Sequence, residues 1–285
     1  MRYKLIDAEK AHVPISRACR FLGVSVSGYY AWASRGASKH QQQDMVLLAY
    51  IREFYALSGG SYGSPRMAVE LQEAGFAVGR RRVARLMREN GLKARFKRRF
   101  RRTTDSHHAF EIAPNLLDQD FSATGPDQKW AGDISYIWTK EGWLYLAVIL
   151  DLYSRRVIGW ATSDRLKAGL AITALDRALA LRGPAQGAIH HSDRGSQYCA
   201  HEYQKKLIQN GLVPSMSGKG NCYDNAVVES FFKTLKSELV WRTCFASRLE
   251  AKIMIGKYID GFYNSKRRHS FLGYKCPIAF EQIAA

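Results

Sequence analysis

The 285-residue chain contains only five cysteines, and they are widely scattered. None stands in a CxxC or CxxH pair, so the sequence predicts neither a disulfide framework nor a zinc cluster. No apolar run reaches the roughly 18 residues that a membrane-spanning helix needs, and the opening residues MRYKLIDAEK lack a signal-peptide core. We therefore expect a soluble intracellular protein that has reduced thiols and does not act at a membrane.

Acidic residues are also scarce relative to basic ones. The chain has 25 Asp and Glu against 43 Lys and Arg, which gives a formal net charge of +18. The excess is concentrated in the N-terminal third, since residues 1–102 hold 21 basic and 7 acidic side chains. Such a charge attracts polyanions, so we expect salt-dependent binding to nucleic acid, mainly through this region.

The first 57 residues are predicted to form a helical region. From Pro14 to Trp32, two short segments with apolar faces flank a turn at Gly23, and Ser25 or Ser27 can cap the second segment. This outline is typical of a helix-turn-helix. An ordinary helical hairpin has the same pattern, so both interpretations stay open. A further helix is expected at about residues 42–57.

A second helix-turn-helix-like unit is predicted over residues 58–92, starting at the turn-forming stretch SGGSYGSP. Its last helix, from about Gly79 to Asn90, is closed by Gly91, while Gly79 offers no capping side chain, which leaves the start less well defined. A solvated charged face is the ordinary explanation of its arginines. We favour contact with DNA, because this helix contains five arginines and only one acidic residue. The arginines are Arg80, Arg81, Arg82, Arg85 and Arg88.

A basic linker is predicted over residues 93–122. Its first part, KARFKRRFRRTTDSHH, is in the simplest interpretation a flexible tether whose charge keeps it solvated. Because it joins a predicted DNA-reading unit to a predicted catalytic unit, we expect it to lie along the phosphate backbone. It would then become ordered only in the complex with DNA.

The remaining residues, 123–285, have the pattern of an α/β domain. Helices are expected at about 167–182 and 225–240. Apolar strands are predicted at residues 128–138, 143–151, 156–161 and 188–191. Three strands, a helix and a further strand predict a mixed sheet with flanking helices.

Three acidic residues stand in distinctive local sequences. Asp133 lies in WAGDISYIW, Asp193 in HHSDRGSQY and Glu229 in NAVVESFFKTLKSEL, with 59 and 35 residues between them. We expect the sheet to present the two aspartates at strand ends and a helix to carry Glu229. Converging carboxylates are oxygen ligands that suit Mg²⁺, and two such ions support in-line displacement at phosphorus. These acids therefore predict a metal site for phosphoryl chemistry.

Each acid also has an ordinary explanation. Glu229 and Lys233 are spaced as a surface i,i+4 pair, and Asp193 is placed to cap a turn. Asp133 is harder to explain structurally, because an unpaired buried carboxylate is costly. Lys236 lies two helical turns beyond Glu229 on the same face, where a cation could hold a phosphate backbone as it passes the site. We therefore expect Lys236, and with it Lys233, to contact DNA.

The roles of two further stretches stay open. His190 and His191 could be metal ligands or general bases, but histidines that end a strand are more often hydrogen-bonded structural residues. The segment YNSKRRHSFLGYKCP follows the helix of Glu229 and is as compatible with a solvated surface as with contact to target DNA. The basic cluster considered for either role is Lys266, Arg267, Arg268 and His269.

Together, the three acidic motifs and YNSKRRHSFLGYKCP resemble the integrase-core transposases of bacterial insertion sequences. The match is closest to the longer, catalytic reading-frame product of elements related to retroviral integrases, and it covers nearly the whole chain. The resemblance implies a ribonuclease-H-like fold, with Asp133, Asp193 and Glu229 as catalytic metal ligands and Lys236 as the basic residue two turns on. It also implies two Mg²⁺ ions when DNA is bound, with Mn²⁺ as a substitute.

The implied reaction has two steps. Hydrolysis at the end of the element frees a 3′-OH, which then attacks another phosphodiester without a covalent protein–DNA intermediate. The implied partners are double-stranded DNA as element ends and target, further copies of the chain, and an upstream-frame product or fusion. The implied location is the bacterial cytoplasm, at the nucleoid when DNA is bound. The zinc module of retroviral integrases has no counterpart here, so zinc is not expected.

Two other functions stay open at this point. A DNA-binding regulator would keep the helical units without reacting, but it would not require all three acids. A ribonuclease-H-type nuclease would hydrolyse DNA without joining strands, but it would not need two N-terminal units for recognising element ends.

Overall fold

The computed structural model describes residues 2–95, 112–218 and 222–284. In these ranges no helix is long and apolar enough to cross a membrane. The α-helices there are α1 (Arg2–Glu9), α2 (Ile15–Phe21), α3 (Val26–Ala33), α4 (Lys39–Leu57), α5 (Ser64–Glu73), α6 (Arg80–Glu89), α7 (Ala168–Leu181), α8 (Ser196–Cys199), α9 (His201–Gln209), α10 (Ala226–Glu238), α11 (Arg248–Tyr258) and α12 (Pro277–Ala284).

One mixed sheet forms the centre of the C-terminal part, with the strand order β3-β2-β1-β4-β5. Strand β2 runs antiparallel to both β1 and β3, whereas β4 runs parallel to both β1 and β5. The expected mixed sheet is confirmed. The fifth strand is not evident in the sequence, because it has four residues and contains Pro214. The strands are β1 (Lys129–Thr139), β2 (Gly142–Asp151), β3 (Val157–Ser163), β4 (Ile189–Ser192) and β5 (Val213–Met216).

Apolar cores cover both faces of the sheet. Residues of α10 and α11 pack on one face, and residues of α7 and α9 pack on the other. Strand β2 contributes to both, because Leu146, Val148 and Leu150 belong to the first core while Ala147 and Ile149 belong to the second. Burial on both faces is the physical reason for the almost unbroken apolar run of this strand.

The N-terminal helices form two small cores. Helices α1 to α3 enclose Ile6, Cys19 and Tyr29, and Gly23, with a φ of +61°, makes the turn between α2 and α3. Helices α4 to α6 share a second core, so α4 belongs to this three-helix unit although it lies before the predicted boundary at residue 57. Gly91, with a φ of +67°, follows the end of α6 as predicted.

The predicted linker is described only in part, since residues 96–111 lie outside the described ranges. The expectation that residues 93–108 follow the DNA backbone falls almost entirely on that segment. Residues 112–122 pack on the sheet domain. Leu117 is buried in its core, and the backbone N–H of Leu116 donates to Ser215 Oγ at 2.9 Å.

The three-helix unit α4–α6 is attached to the C-terminal half of the chain. The Arg268 guanidinium binds the carboxylates of Glu70 and Glu73 on α5, and its backbone N–H donates to the Tyr62 hydroxyl at 2.7 Å. Arg242 donates to two backbone carbonyls of the unit and its C-terminal extension at 2.6 and 2.7 Å. The helical unit is therefore held next to the sheet domain.

Candidate active site

Asp133 and Asp193 lie side by side where β4 ends. The last parallel pair between β1 and β4 joins Gly132 to Ser192, and each aspartate is the next residue along its chain. Neighbouring strands are about 4.8 Å apart, so this register brings the two carboxylates close together. The expectation that both stand at strand ends is wrong for Asp133, which lies within β1 because that strand continues beside β2.

Glu229 lies in the first turn of α10 and is exposed. The start of this helix is attached to β1 next to Asp133, because the buried Asn225 side chain donates to the carbonyl of Gly132 at 3.3 Å. The opposite side of the helix is buried by Val228, Phe231, Phe232 and Leu235. Together these contacts orient Glu229 toward the aspartates, and its charge raises the pKa of Asp133.

The Asp133 carboxyl group is in an unfavourable environment for negative charge. The residue keeps partial solvent exposure, but its carboxyl is surrounded by protein, and this desolvation raises its pKa well above the usual range. The charge of Asp193 raises the pKa further, and the charge of Glu229 adds to the effect. The hydrogen bond from the Ile134 N–H at 2.7 Å and the charge of Lys236 only partly oppose this. A cation among the three carboxylates would stabilise their ionised forms.

The donor chemistry of this group fits a hard divalent cation, because all three side chains are carboxylates. The arrangement is not a finished metal cluster. Within residues 2–95, 112–218 and 222–284, no three His, Cys, Asp or Glu side chains are grouped closely enough to hold an ion. One oxygen of Asp193 accepts a hydrogen bond from the Gly195 N–H at 2.9 Å, which orients it in its own loop. The metal site therefore stays a prediction.

Two lysines follow Glu229 along α10. Lys236 is half-buried; burial lowers its pKa, and the charge of Asp133 partly opposes that shift. Its ammonium group is therefore close to the acidic site, as expected from the ~20° that separates residues seven apart on a helix. Lys233 is exposed on the same helix, and its contact with DNA stays a prediction.

The family is given by comparison with known proteins. Residues 123–222 and 210–277 match two models of the integrase core domain, and residues 41–100 match an HTH-like domain. A Shigella sonnei protein named "Insertion element IS600 uncharacterized 31 kDa protein" is 47% identical over 264 residues, 93% of this chain and 97% of that one. Transposase InsF for insertion sequence IS3A from Escherichia coli (strain K12) is 44% identical over 288 residues, 99% of this chain and 98% of that one. This chain belongs to the InsF family of transposases.

Two solved structures are similar to the transposase. The HTLV-2 integrase catalytic core domain in complex with magnesium is 19% identical with a TM-score of 0.42, covering 55% of this chain and 97% of that one. A simian T-cell lymphotropic virus intasome is 14% identical with a TM-score of 0.47, covering 81% and 74%. The integrase-core match and the sheet order confirm the expected ribonuclease-H-like class of fold. The integrase-core match and the transposase relatives also agree with the expected enzyme class, a polynucleotidyl transferase.

His190 and His191 have structural surroundings in the transposase. His190 is buried, and its Nε2 lies 3.0 Å from the Tyr203 hydroxyl. His191 lies between the hydroxyls of Ser215 and Ser217, at 2.9 and 3.1 Å. Burial lowers the pKa of His190 to about 3 and that of His191 to about 4, so both rings are neutral at pH 7. They connect β4 to α9 and to the end of β5, which favours the structural interpretation.

Helix α6 uses two of its five arginines internally. Arg82 binds Asp44 of α4 at 2.8 Å, and Arg85 binds the same carboxylate at 2.6 Å and Glu89 at 2.9 Å. The sequence of α6 alone does not reveal this, because Asp44 comes from another helix. The arginines that remain exposed are Arg80, Arg81 and Arg88.

The C-terminal segment 263–277 is packed into the protein rather than solvated. Arg267 is 5% exposed and donates two hydrogen bonds to Glu238 of α10, at 2.9 and 2.8 Å. Arg268 binds α5, and His269 is half-buried. In the cluster of Lys266, Arg267, Arg268 and His269, only Lys266 is exposed. A solvated surface therefore does not describe Arg267, whose charge is paired with Glu238.

Asn225 is not predicted from the sequence as a site residue, although it joins the helix of Glu229 to the strand of Asp133. Its neighbour Asp224 accepts hydrogen bonds from Asn115 at 3.1 Å and from the backbone N–H of Gly218 at 2.7 Å. A signal for both was present, because consecutive Asp and Asn residues directly before an amphipathic helix are typical of a helix start.

Asp133→Asn is expected to stabilise the metal-free transposase. A carboxyl whose pKa is raised by folding favours its protonated form in the folded state, so its ionisation destabilises the fold as the pH rises above the unfolded value of about 3.9. The variant should therefore unfold at a higher temperature than the wild type at pH 7 in a chelator, by about 2–4 °C for each kcal/mol relieved. The gain should shrink toward pH 4. Asp164→Asn, at an exposed position, is the control and should change nothing. A lower unfolding temperature for Asp133→Asn would contradict the argument.

Proposed function

We propose that the transposase cleaves and joins DNA at a divalent-metal site formed by Asp133, Asp193 and Glu229. The observation that supports this most strongly is electrostatic. Burial and the two neighbouring acids raise the pKa of Asp133, and a cation would offset that repulsion. We propose Mg²⁺ as the cation, as two ions when DNA is bound and with Mn²⁺ as a substitute, because carboxylate and phosphate oxygens are its preferred ligands.

When bound, the metal ions would activate the attacking oxygen and stabilise the leaving oxygen. The residues of the chain determine where this takes place. The register of β1 and β4 fixes Asp133 beside Asp193, and the Asn225 hydrogen bond to β1 places the start of α10 next to them. Lys236, close to Asp133, is positioned to pair with a phosphate of the passing backbone.

The proposed reaction has two balanced steps. In the first, water attacks a phosphorus at the end of the element and the bond from phosphorus to the 3′ oxygen breaks. The element keeps a free 3′-OH, the flanking strand keeps a 5′-phosphate, and a proton is released to solvent. In the second, that 3′-OH attacks a phosphodiester of the target, and the target's own 3′ oxygen leaves. One phosphodiester replaces another in the second step, so no external energy source is required.

The element ends are, in this proposal, bound by the helix-turn-helix outline of α2–α3 and by the unit α4–α6. On α6 the exposed Arg80, Arg81 and Arg88 are the best placed to contact phosphates or base edges. Arg82 and Arg85 would act indirectly, since their pairing with Asp44 holds α6 on α4.

We further propose that several copies act together on DNA, because one active site acts on one end at a time and an element has two ends. An upstream-frame product or fusion that supplies a further DNA-binding module belongs to the same proposal. So does a location in the bacterial cytoplasm, with association to the nucleoid when DNA is bound.

The test is an assay with labelled DNA of the element end, unlabelled target DNA and Mg²⁺. Nicking at the 3′ end followed by joined products is the expected result. Binding without any product would overturn the proposal in favour of a regulator, and cleavage of any duplex without joining would overturn it in favour of a nuclease. A parallel reaction in EDTA should retain binding and lose both products.

A further inference from the structure

A cavity of about 360 Å³ opens between α5, α10 and the segment that follows α11. Three arginines line it, namely Arg66, Arg155 and Arg267. His269 and the hydroxyl-bearing residues Ser230, Thr234, Tyr263 and Ser270 complete its polar lining, and no Asp or Glu lines it among the described residues. Positive charge gathered in a partly buried cavity is costly unless an anion compensates it.

Only one of the three arginines has a carboxylate partner in the part of the chain that the structure describes. Arg267 pairs with Glu238, whereas Arg66 and Arg155 have no carboxylate within 4.0 Å there. Each of these two guanidinium groups lies against an aromatic ring instead, at 5.5 Å from the centre of the Tyr62 ring and 4.1 Å from that of Phe271. The cavity therefore holds two positive charges with no direct ion pair among the described residues, although the charge of Glu238 acts on Arg66 and that of Asp151 acts on Arg155.

All three arginines line the cavity together with His269, and their charges act on its imidazole. Burial lowers the pKa of His269, and the charges of Arg267, Arg66 and Arg155 lower it further, in that order. Arg267 Nη1 lies 3.5 Å from His269 Nε2. Since the imidazole is neutral at pH 7, the histidine adds hydrogen-bonding capacity to the cavity without adding charge.

The cavity lies next to the candidate active site on the same helix. With about 100° per residue, Glu229 and Lys236 occupy one face of α10, whereas the cavity-lining Ser230 and Thr234 lie about 100–140° around the axis. Arg66 comes from α5 of the helical unit, while Arg155 and Arg267 come from the sheet domain. DNA that touches both parts of the protein would pass the opening.

We propose that this cavity binds a phosphate group of the DNA backbone and thereby fixes the register of the DNA between the recognition helices and the acidic site. Guanidinium groups bind phosphate oxygens through paired hydrogen bonds, and the serine and threonine hydroxyls offer further donors. The inference rests on the proposed function only in taking DNA, rather than a free anion, as the source of the phosphate.

The test compares Arg66→Gln, Arg155→Gln and the double variant with the wild type. Affinity for labelled element-end DNA is measured over a series of NaCl concentrations in EDTA, so that no reaction is required. Each single variant should bind about tenfold more weakly, because a charge-assisted contact is lost. The slope of log Kd against log salt should fall by about one for each single variant. The double variant should have the same slope as the single variants, because both arginines are proposed to bind the same phosphate. Lys205→Gln removes an exposed charge on α9 and is the matched control.

Protein stability separates this site from a structural role. Because neither Arg66 nor Arg155 forms a direct ion pair in the described part of the chain, the variants should unfold close to the wild-type temperature; a lower temperature together with unchanged DNA affinity would overturn the proposal. Wild-type affinity and slope in all three variants would also overturn it. If inorganic phosphate stabilises the wild type but not Arg66→Gln while DNA affinity is unchanged, the cavity takes free anions and the DNA assignment is wrong. The binding test does not measure strand joining. Its outcome therefore does not depend on whether the transposase cleaves and joins DNA as proposed.

Discussion

Asp193→Asn is expected to lower strand transfer by about a thousandfold, which corresponds to ~4 kcal/mol of transition-state stabilisation. The substitution replaces a charged ligand by a neutral one of the same shape. Its carbonyl oxygen can still accept the hydrogen bond from the Gly195 N–H, so the loop after β4 should keep its structure. The measurement is the rate of joined product with labelled element-end DNA at saturating Mg²⁺.

The same protein samples provide the controls for that experiment. DNA affinity should match the wild type and the unfolding temperature should not fall below it, which would show that the loss is chemical. Glu229→Gln should have a comparable effect, and the double variant should be little worse than either single one, because the acids act as a unit. Asp164→Asn, an exposed acid outside the site, should retain activity. Joining by Asp193→Asn within tenfold of the wild-type rate would show that Asp193 is not a required ligand.

Glu238→Gln is expected to cause the largest loss of stability among single substitutions of the charged residues discussed here, about 3 kcal/mol of the free energy of unfolding. Side chains of Glu238 and Arg267 are 5% and 6% exposed, and both guanidinium hydrogen bonds end on this one carboxylate. Removing its charge leaves Arg267 buried beside two other arginines. The unfolding temperature should fall by roughly 6–12 °C.

Two comparisons make the Glu238 result specific. Asp176→Asn removes the partner of Lys206 in an exposed ion pair and should cost less than about 1 kcal/mol. Glu238→Gln combined with Arg267→Met should recover part of the stability, because the uncompensated cation is then gone. A loss for Glu238→Gln no greater than that for Asp176→Asn would mean that water or another group replaces the carboxylate.

The features that the sequence predicts well are those with a local physical signal. The apolar runs of β1 to β3 and the amphipathic pattern of α10 depend on neighbouring residues, and the structure contains all of them. The three acids are identified by their local sequences, and the parallel register of β1 and β4 brings two of them together. Short β5 has no comparable signal, because four residues show too little periodicity.

The features that the sequence does not predict depend on partners far along the chain. Arg268 reaches Glu70 across 198 residues, and Arg82 reaches Asp44 across 38. A run of arginines therefore looks uniformly solvated or DNA-binding until the fold supplies its carboxylates. The cationic cavity is a case of the same kind, since Arg66, Arg155 and Arg267 become neighbours only in three dimensions.

The contact of Arg268 with Tyr62, Glu70 and Glu73 limits how this transposase can be recombined with its relatives. A chimaera joined between residues 95 and 112 would carry a foreign three-helix unit against this arginine. If that unit lacked acids at positions 70 and 73, the guanidinium would lose its partners. Replacing the three-helix unit by that of a relative therefore requires the exchange of both sides of the contact, so the two regions are expected to have changed together during divergence.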